Sequence, residues 1–314
     1  MSSKTGNKLP IEDTVDARRQ AWLMTNETIT AAASGTWKLG QFTVNRLGFG
    51  AMRLMSRADG GPSDRDRAIG VLRRAVELGV NHIDTAAFYF SPLRSANELI
   101  NTALAPYGDD LVLTTKVGPG RDPSGNFLMA TPEQLRGQVE ENLRQLGRDR
   151  IEVVNLRIGE GLERGSGSLA DRFGALSELR DEGLIGELGI SNIEPAHLAE
   201  AQAIAPVVCV QNQYGLTARR EDDELVRLCA EQGVAFVPFF AVASGVEDER
   251  VDAVAKAHGV SAAQVRLAWT LHQGPNVLAI PGTGDPAHLE QNVAAGALEL
   301  TDAELAALNS IAKP

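Results

Sequence analysis

Several side chains suited to proton transfer stand in one kind of place along this chain. Asp84 and Lys116 end the apolar runs Val80–Asp84 and Leu111–Lys116, Arg157 follows the run Ile151–Leu156, and Tyr89 lies five residues past Asp84. Each alone has an ordinary explanation, since a strand-end lysine is usually solvated and an aspartate there usually caps the next helix. Together they describe an acid–base device. A lysine ammonium beside a phenol favours the phenolate, and a carboxylate beside the lysine keeps it charged and in place. A tyrosine in that setting can give or take a proton near neutral pH.

For these groups to meet, the chain must bring the ends of its apolar runs together. Eight such runs alternate with amphipathic stretches: Leu47–Met52, Val80–Asp84, Leu111–Lys116, Ile151–Leu156, Ile185–Ser191, Val207–Gln211, Val234–Phe240 and Val277–Pro281. Several are apolar at nearly every position, as in parallel strands covered on both faces. Between them the 3.6-residue period predicts helices over Asp64–Leu78, Thr131–Leu146, Leu169–Glu182, Pro195–Ala203, Glu221–Gln232, Ser261–Leu271 and Pro286–Ala295. Thr131, Pro132 and Gln134 fit an N-cap, a first helical turn and a capping box.

Eight alternations over about 250 residues predict an α/β fold, a (β/α)8 TIM barrel. A short hairpin, Thr36–Leu39 and Gln41–Val44 around Gly40, precedes it, and a helix closes the chain. A doubly wound sheet is the competitor. It usually carries a glycine-rich dinucleotide fingerprint after its first strand, and Gly48-Phe-Gly50-Ala-Met-Arg53 lacks the third glycine. In a barrel, functional residues sit at the C-terminal strand ends and in the loops beyond them. That rule adds Ser191, Asn192 and Gln211 to the first four. Residues 1–35 are polar without an apolar period and are expected to form a disordered or loosely docked extension, with 36–314 as one barrel domain. Met24 is an alternative start.

The chain has 314 residues and a formal charge of −11, which argues against nucleic acid or anionic membrane as partners. Its two cysteines, Cys209 and Cys229, give no disulfide framework and favour a reducing compartment. No stretch is long enough to cross a bilayer or to serve as a signal peptide, so a cytoplasmic protein is expected. His197, His258 and His272 fall in helical patterns without partners at metal spacing, and no metal is expected.

The residues from Thr36 onward resemble an aldo-keto reductase. The matching segments are Leu47-Gly-Phe-Gly-Ala-Met-Arg53, Gly79-Val-Asn-His-Ile-Asp-Thr-Ala86, Thr114-Thr-Lys-Val117, Gly189-Ile-Ser-Asn192 and Val210-Gln-Asn-Gln-Tyr214. Ile280-Pro-Gly-Thr283 and His288-Leu-Glu-Gln-Asn292 complete them in order. The resemblance implies a nicotinamide cofactor held without a Rossmann fold, hydride transfer to an aldehyde or ketone, and a tetrad of Asp, Tyr, Lys and His. Asp84, Tyr89 and Lys116 take three of those places, with Tyr89 as proton donor. Where the family has its histidine, this chain has Arg157.

That departure carries chemical consequences. Arginine also donates hydrogen bonds, but it is longer, fork-shaped and permanently charged. A cation about 4 Å from a developing alkoxide contributes on the order of 4 kcal/mol at an effective dielectric near 20. Arg157 could instead read a substrate carboxylate or phosphate bidentately. A branch of the family with an acidic residue there reduces a carbon–carbon double bond, so altered chemistry is a further reading. The opposing outcome is that Arg157 turns to solvent or pairs with Glu160 and leaves an impaired, cofactor-binding protein.

The resemblance assigns Ser191, Asn192 and Gln211 to the nicotinamide carboxamide and Phe239 to the nicotinamide ring. Among the cofactor contacts it implies, Gly282, Thr283 and Gly284 open the last loop before the helix Pro286–Ala295, whose N-terminus suits a phosphate, and His288, Gln291 and Asn292 match the adenosine end. NADP(H) is the expected cofactor. Many members carry lysine or arginine at the positions of Gly282 and His288, and their absence makes NAD(H) possible too. A competing class is a barrel aldolase with Lys116 as Schiff-base nucleophile. The Gly159–Ser168 stretch beside Arg157 is a candidate substrate lid, and His82 is expected to be a packed polar residue.

Overall fold

A computed structural model of the chain describes residues 29–55, 61, 63–121, 127–218, 220–242 and 247–311. Most of the expected N-terminal extension, and parts of the loops 56–63, 118–127 and 241–249, lie outside the described residues.

The apolar runs form one parallel sheet, in spatial order Ala235–Phe236, Cys209–Gln211, Ile185–Ser191, Ile151–Arg157, Val112–Val117, His82–Asp84, Phe49–Gly50. Val277–Pro281 closes it. Val277 bridges Phe236 on one side and Ala279 bridges Leu47 on the other, both parallel. The Gly48 amide donates to Ala279 O at 2.8 Å and the Leu278 amide to Phe236 O at 2.9 Å. The sheet is thus the wall of a (β/α)8 barrel. Every residue of Val112–Val117 is buried, as expected for a strand with a helix layer outside and a packed interior. The hairpin Thr36–Leu39/Phe42–Asn45 plugs the lower end, where Leu39 and Val44 pack with Val112, Val153, Val208 and Leu278.

The helices start where their caps dictate. Asp64 accepts the Arg67 amide at 2.8 Å and opens Arg65–Glu77. The Thr131 amide donates to Gln134 Oε1 at 2.9 Å, Pro132 leads the helix to Leu146, and Gly147 ends it in the left-handed conformation at φ 64°.

Two departures from the sequence reading are physical. The run Leu47–Met52 is strand only at Phe49–Gly50, because Ala51–Leu54 coils into a 3-10 turn. Between Val80–Asp84 and Leu111–Lys116, where the sequence reading places no element, the chain forms a two-residue-per-arm hairpin, Phe90–Ser91 with Arg94–Ser95, leading into the helix Ala96–Leu104. Ser95 caps that helix by accepting the Glu98 amide, a Ser-x-x-Glu signal present in the sequence. Asp248 and Thr301 likewise cap Glu249–His258 and Asp302–Asn309. Among the described residues no helix is long and apolar enough to cross a membrane.

Candidate active site

The strand register brings the polar side chains of the sequence analysis to one rim. Asp84 pairs with Thr114 and Gly50, Lys116 with Asn155, and Arg157, Ser191 and Gln211 stand in one row across three strands. At that rim lies a cavity of about 460 Å³ whose walls include Asp84, Tyr89, Lys116, Arg157, Phe239 and Gly282.

Lys116 and Asp84 are almost wholly buried, with Lys116 Nζ donating to Asp84 Oδ1 at 2.5 Å and to Thr85 O at 3.2 Å. The second carboxylate oxygen of Asp84 accepts Gln211 Nε2 at 2.7 Å. The Tyr89 ring centroid is 4.8 Å from Lys116 Nζ. Burial alone would lower the Lys116 pKa, but Asp84 and Tyr89 outweigh it and the ammonium sits above its ordinary 10.5. Lys116 is therefore charged at every physiological pH. Tyr89 is held by its backbone, donating to Ala86 O and accepting the Ala96 amide, each at 3.0 Å, and by the Phe88 ring set edge-on at 5.2 Å.

Arg157 faces the same cavity. Its guanidinium donates to Gly161 O at 2.5 Å and to Ser191 Oγ at 3.3 Å, and its Cζ lies 5.1 Å from the Phe239 ring centroid. Burial lowers its pKa from 12.5, while attraction to Tyr89 and Asp84 acts the other way. Glu160, the carboxylate weighed as its partner, is not the group it contacts. Gly161 holds it inward instead.

The residues that the resemblance assigns to the cofactor divide into groups, of which Phe239 and Gly282 line the cavity and Ser191, Asn192 and Gln211 are buried at the strand ends behind it. Gln211 Oε1 is buried without a partner, and Ser191 Oγ keeps its own hydroxyl hydrogen. An amide group in reach of both finds one acceptor and one donor. Asn192 stands differently. It has φ 62°, and its Nδ2 donates to Ile158 O at 2.9 Å and to Glu163 O, so that amide is spent on the loop behind it. Phe239 lines the cavity and meets Phe240 edge-on at 5.5 Å. Gly282 lines it too, whereas Thr283 is buried, its Oγ1 accepting the Asp285 amide at 3.0 Å. Gly284 follows that bend, with Arg53 O beside it. His288, Gln291 and Asn292 lie outside the cavity on the helix Pro286–Ala294.

Two expectations change here. The first-turn amides of Pro286–Ala294 do not face open space: Asp285 Oδ1 accepts Ala287 N at 2.8 Å and His288 N at 3.3 Å. A carboxylate already satisfies that helix N-terminus, so it is not a ready phosphate site. The Gly159–Ser168 stretch is not a loose lid either. Its backbone is tied through Asn192, through Gly165 N to Asn192 O at 2.9 Å, and through Gly167 O to His197 Nε2 at 2.8 Å. Arg164 adds an ion pair to buried Asp222 at 2.9 Å. Gly161 and Leu162 form a fixed wall of the cavity.

Sequence reasoning missed Met52, Arg53, Phe88 and Phe240 as lining residues, whereas Leu162 falls in the Gly159–Ser168 stretch expected beside the site. Arg53 had a signal, since it ends the Leu47–Arg53 motif one turn past the first strand. His82 is a packed polar residue, as expected, and Cys209 and Cys229 are free and buried.

The whole arrangement has relatives. Residues 46–313 match the sequence profile of the aldo/keto reductase family. The chain is 43% identical over 287 residues to pyridoxine 4-dehydrogenase of Escherichia coli, covering 90% of this chain and 99% of that protein. It is 30% identical to a probable aldo-keto reductase 1 of Glycine max, over 85% of this chain and 86% of the relative. Among solved structures, a thermostable aldo-keto reductase in complex with the inhibitor epalrestat superposes with a TM-score of 0.75 at 27% identity, over 88% of this chain and 99% of that one. An aldo-keto reductase from Klebsiella pneumoniae in complex with NADPH gives 0.70 at 26% identity, over 85% and 90%. With the barrel, the buried Asp–Lys pair and these matches together, the chain belongs to the aldo-keto reductase family and is an NAD(P)H-dependent oxidoreductase.

Proposed function

We propose that the protein reduces an aldehyde or ketone with NADPH, Tyr89 giving the proton to the carbonyl oxygen and Arg157 orienting that oxygen. The observation that carries this reading is the assembled Asp84–Lys116–Tyr89 group at the end of a cavity with apolar walls. Bound nicotinamide supplies the hydride at its C4. Ser191 and Gln211 would hold the carboxamide through the free hydroxyl and the unpartnered Oε1, and Phe239 would face the ring. Lys116, kept charged by Asp84, stabilises the negative charge that Tyr89 acquires as its proton leaves. Gln211 fixes the other carboxylate oxygen, so Asp84 is not free to take the proton itself.

Arg157 does the work of a charged donor. Two of its five N–H groups are engaged by Gly161 and Ser191, and the cation faces the cavity beside Tyr89. There it stabilises negative charge on the carbonyl oxygen as hydride arrives. Its presence also supports a second reading of the substrate, one carrying a carboxylate or phosphate. Pyridoxal is the first aldehyde to test, because the relative at 43% identity is named for oxidising pyridoxine at its 4-position. Met52, Phe88, Leu162 and Phe240 offer apolar surface to a flat ring.

The test is NADPH consumption by the purified protein on a panel of aldehydes, ketones and enones, pyridoxal and anionic aldehydes included. Turnover that falls about 10²- to 10⁴-fold in Tyr89→Phe, with NADPH still bound, supports the assignment. Tight NADPH binding without turnover of any carbonyl would leave a cofactor-binding protein and sink it.

A further inference from the structure

Thr85 and Thr115, the chain neighbours of Asp84 and Lys116, turn to the other side of the barrel wall, toward the helices Ala96–Leu104 and Pro132–Leu146. The layer between wall and helices is otherwise apolar, filled by side chains such as Ile83, Leu113, Ile100 and Val139. Four polar side chains interrupt it, Thr85, Asn97, Thr115 and Asn142, each at most 1% exposed. They satisfy one another. Thr85 Oγ1 donates to Asn97 Oδ1 at 2.7 Å, and Asn97 Nδ2 donates to Asn142 Oδ1 at 2.9 Å. Thr115 Oγ1 donates to that same Asn142 oxygen at 2.6 Å, and Asn142 Nδ2 donates to Gln138 O at 2.9 Å. Apolar side chains of like shape would fill this space at similar stability, so what the hydrogen bonds add is direction.

The cluster has two leads into the proton-transfer site. Thr85 gives its hydroxyl to the helix layer, while its carbonyl accepts Lys116 Nζ at 3.2 Å. Asn97 follows Ala96, whose amide donates to Tyr89 O at 3.0 Å. One side chain therefore ties the group that receives the lysine to the turn that anchors the tyrosine. Asn142 carries the tie on to the strand of Lys116 through Thr115. The same helix holds the end of that strand, Gln138 Oε1 accepting the Gly118 amide at 2.6 Å.

We propose that Asn97 is a positioning residue for proton transfer, holding Thr85 and the start of the helix Ala96–Leu104 so that the Lys116 ammonium and Tyr89 keep their separation. The inference rests on the reading that Tyr89 gives the proton and Lys116 stabilises the charge left behind. Asn97 is not part of the cavity wall and acts through its neighbours alone. The separation it sets is the 4.8 Å between Lys116 Nζ and the Tyr89 ring centroid. Attraction between charges depends on distance, and a displacement of about 1 Å from a remote change can cost about 10²-fold in rate.

The experiment removes hydrogen bonds while keeping side-chain volume. Wild type, Thr85→Val, Thr85→Ser, Asn97→Leu and Tyr89→Phe are compared by steady-state kinetics on pyridoxal and benzaldehyde, by NADPH titration and by thermal unfolding. Rates are taken well below each unfolding midpoint. Asn97→Leu is expected to lower kcat by about 10- to 100-fold and Thr85→Val by about 3- to 10-fold, with KM and the NADPH Kd within about twofold of wild type. Thr85→Ser, which keeps the hydroxyl, should recover most of what Thr85→Val loses. A packing defect alone would lower the unfolding midpoint and leave kcat of the folded enzyme as it was. That result, or a loss carried by KM or Kd, would overturn the positioning role, and an inactive Tyr89→Phe beside it would leave the proton-donor reading standing. Wild-type kcat in Tyr89→Phe, or no turnover by the wild type, would overturn both. Should Asn97→Leu not fold, the contrast between Thr85→Val and Thr85→Ser decides.

Discussion

Arg157 lies over the face of Phe239, its Cζ 5.1 Å from the ring centroid, so the cation beside Tyr89 and the aromatic wall of the cavity support one another. The contact fixes where the guanidinium points. A cation over an aromatic face gains about 0.5–2 kcal/mol depending on how dry the site is, and Gly161 O adds a hydrogen bond from the other side.

Arg157→Ala is therefore expected to lower kcat/KM by about 10²- to 10³-fold, as for loss of one charged donor at a developing oxyanion. Arg157→His should retain more activity on neutral aldehydes than on anionic ones, since the permanent charge is what an anionic group would read. Phe239→Leu should show coupling with Arg157→Ala in a double-mutant cycle on kcat/KM. Additive effects would mean that the aromatic contact does not position the guanidinium.

The Lys116–Asp84 pair sets a test at alkaline pH. Because the folded-state lysine pKa is raised above 10.5, the pair's contribution to stability is fully present below that value and is lost as pH climbs through the folded value. Denaturant unfolding should show this loss in the wild type and not in Lys116→Met. Removing one partner of so buried a pair costs about 3–5 kcal/mol. The double variant Lys116→Met/Asp84→Asn should cost less than the two singles combined, and full additivity would argue that the charges do not interact.

What the sequence made legible follows from which contacts are local. Asp84, Lys116 and Arg157 could be found because each ends a strand, and strand ends in a barrel share a rim. The helix 132–146 was legible because Thr131, Pro132 and Gln134 state its start within four residues. Arg53 was only half legible: it ends the Leu47–Arg53 motif, but its neighbours Gly282 and Gly284 lie more than 200 residues away and meet it only once the barrel closes. The phosphate reading of the last helix is opposed by a local feature that was visible: Asp285 before Pro286 is itself an N-cap residue, and it takes the amides of Ala287 and His288. The rigidity of Gly159–Ser168 was hidden by its glycines. Its order comes from Asn192, His197 and Asp222 on other elements.

At acid pH the sensitive group is His82, buried inside the barrel against Gly48, where burial pushes its pKa from 6.5 down to about 4. The folded protein holds this imidazole neutral while the unfolded chain protonates it below 6.5. Stability should thus decline as pH falls from 6.5 toward 4, by about 3 kcal/mol from this residue, and level off below. His82→Asn should flatten that slope in urea titrations between the two pH values. An unchanged slope would assign the acid sensitivity to other groups.

Asn192 joins backbone conformation to the shape of the cavity. At φ 62° it adopts the left-handed region that asparagine tolerates better than other side chains, and its amide holds Ile158 O and Glu163 O on either side of the Gly161–Leu162 wall. Asn192→Gly keeps the backbone and loses both hydrogen bonds; Asn192→Ala loses the bonds and adds strain. The glycine variant should cost about 1–3 kcal/mol in stability, and the alanine variant more. Because the wall lines the cavity proposed for substrate, and the proposed proton-transfer groups Asp84, Tyr89 and Lys116 stand on other elements, both should raise KM for large aldehydes more than they lower kcat. Equal falls in kcat for small and large aldehydes, with KM unchanged, would show that the wall's position does not depend on Asn192.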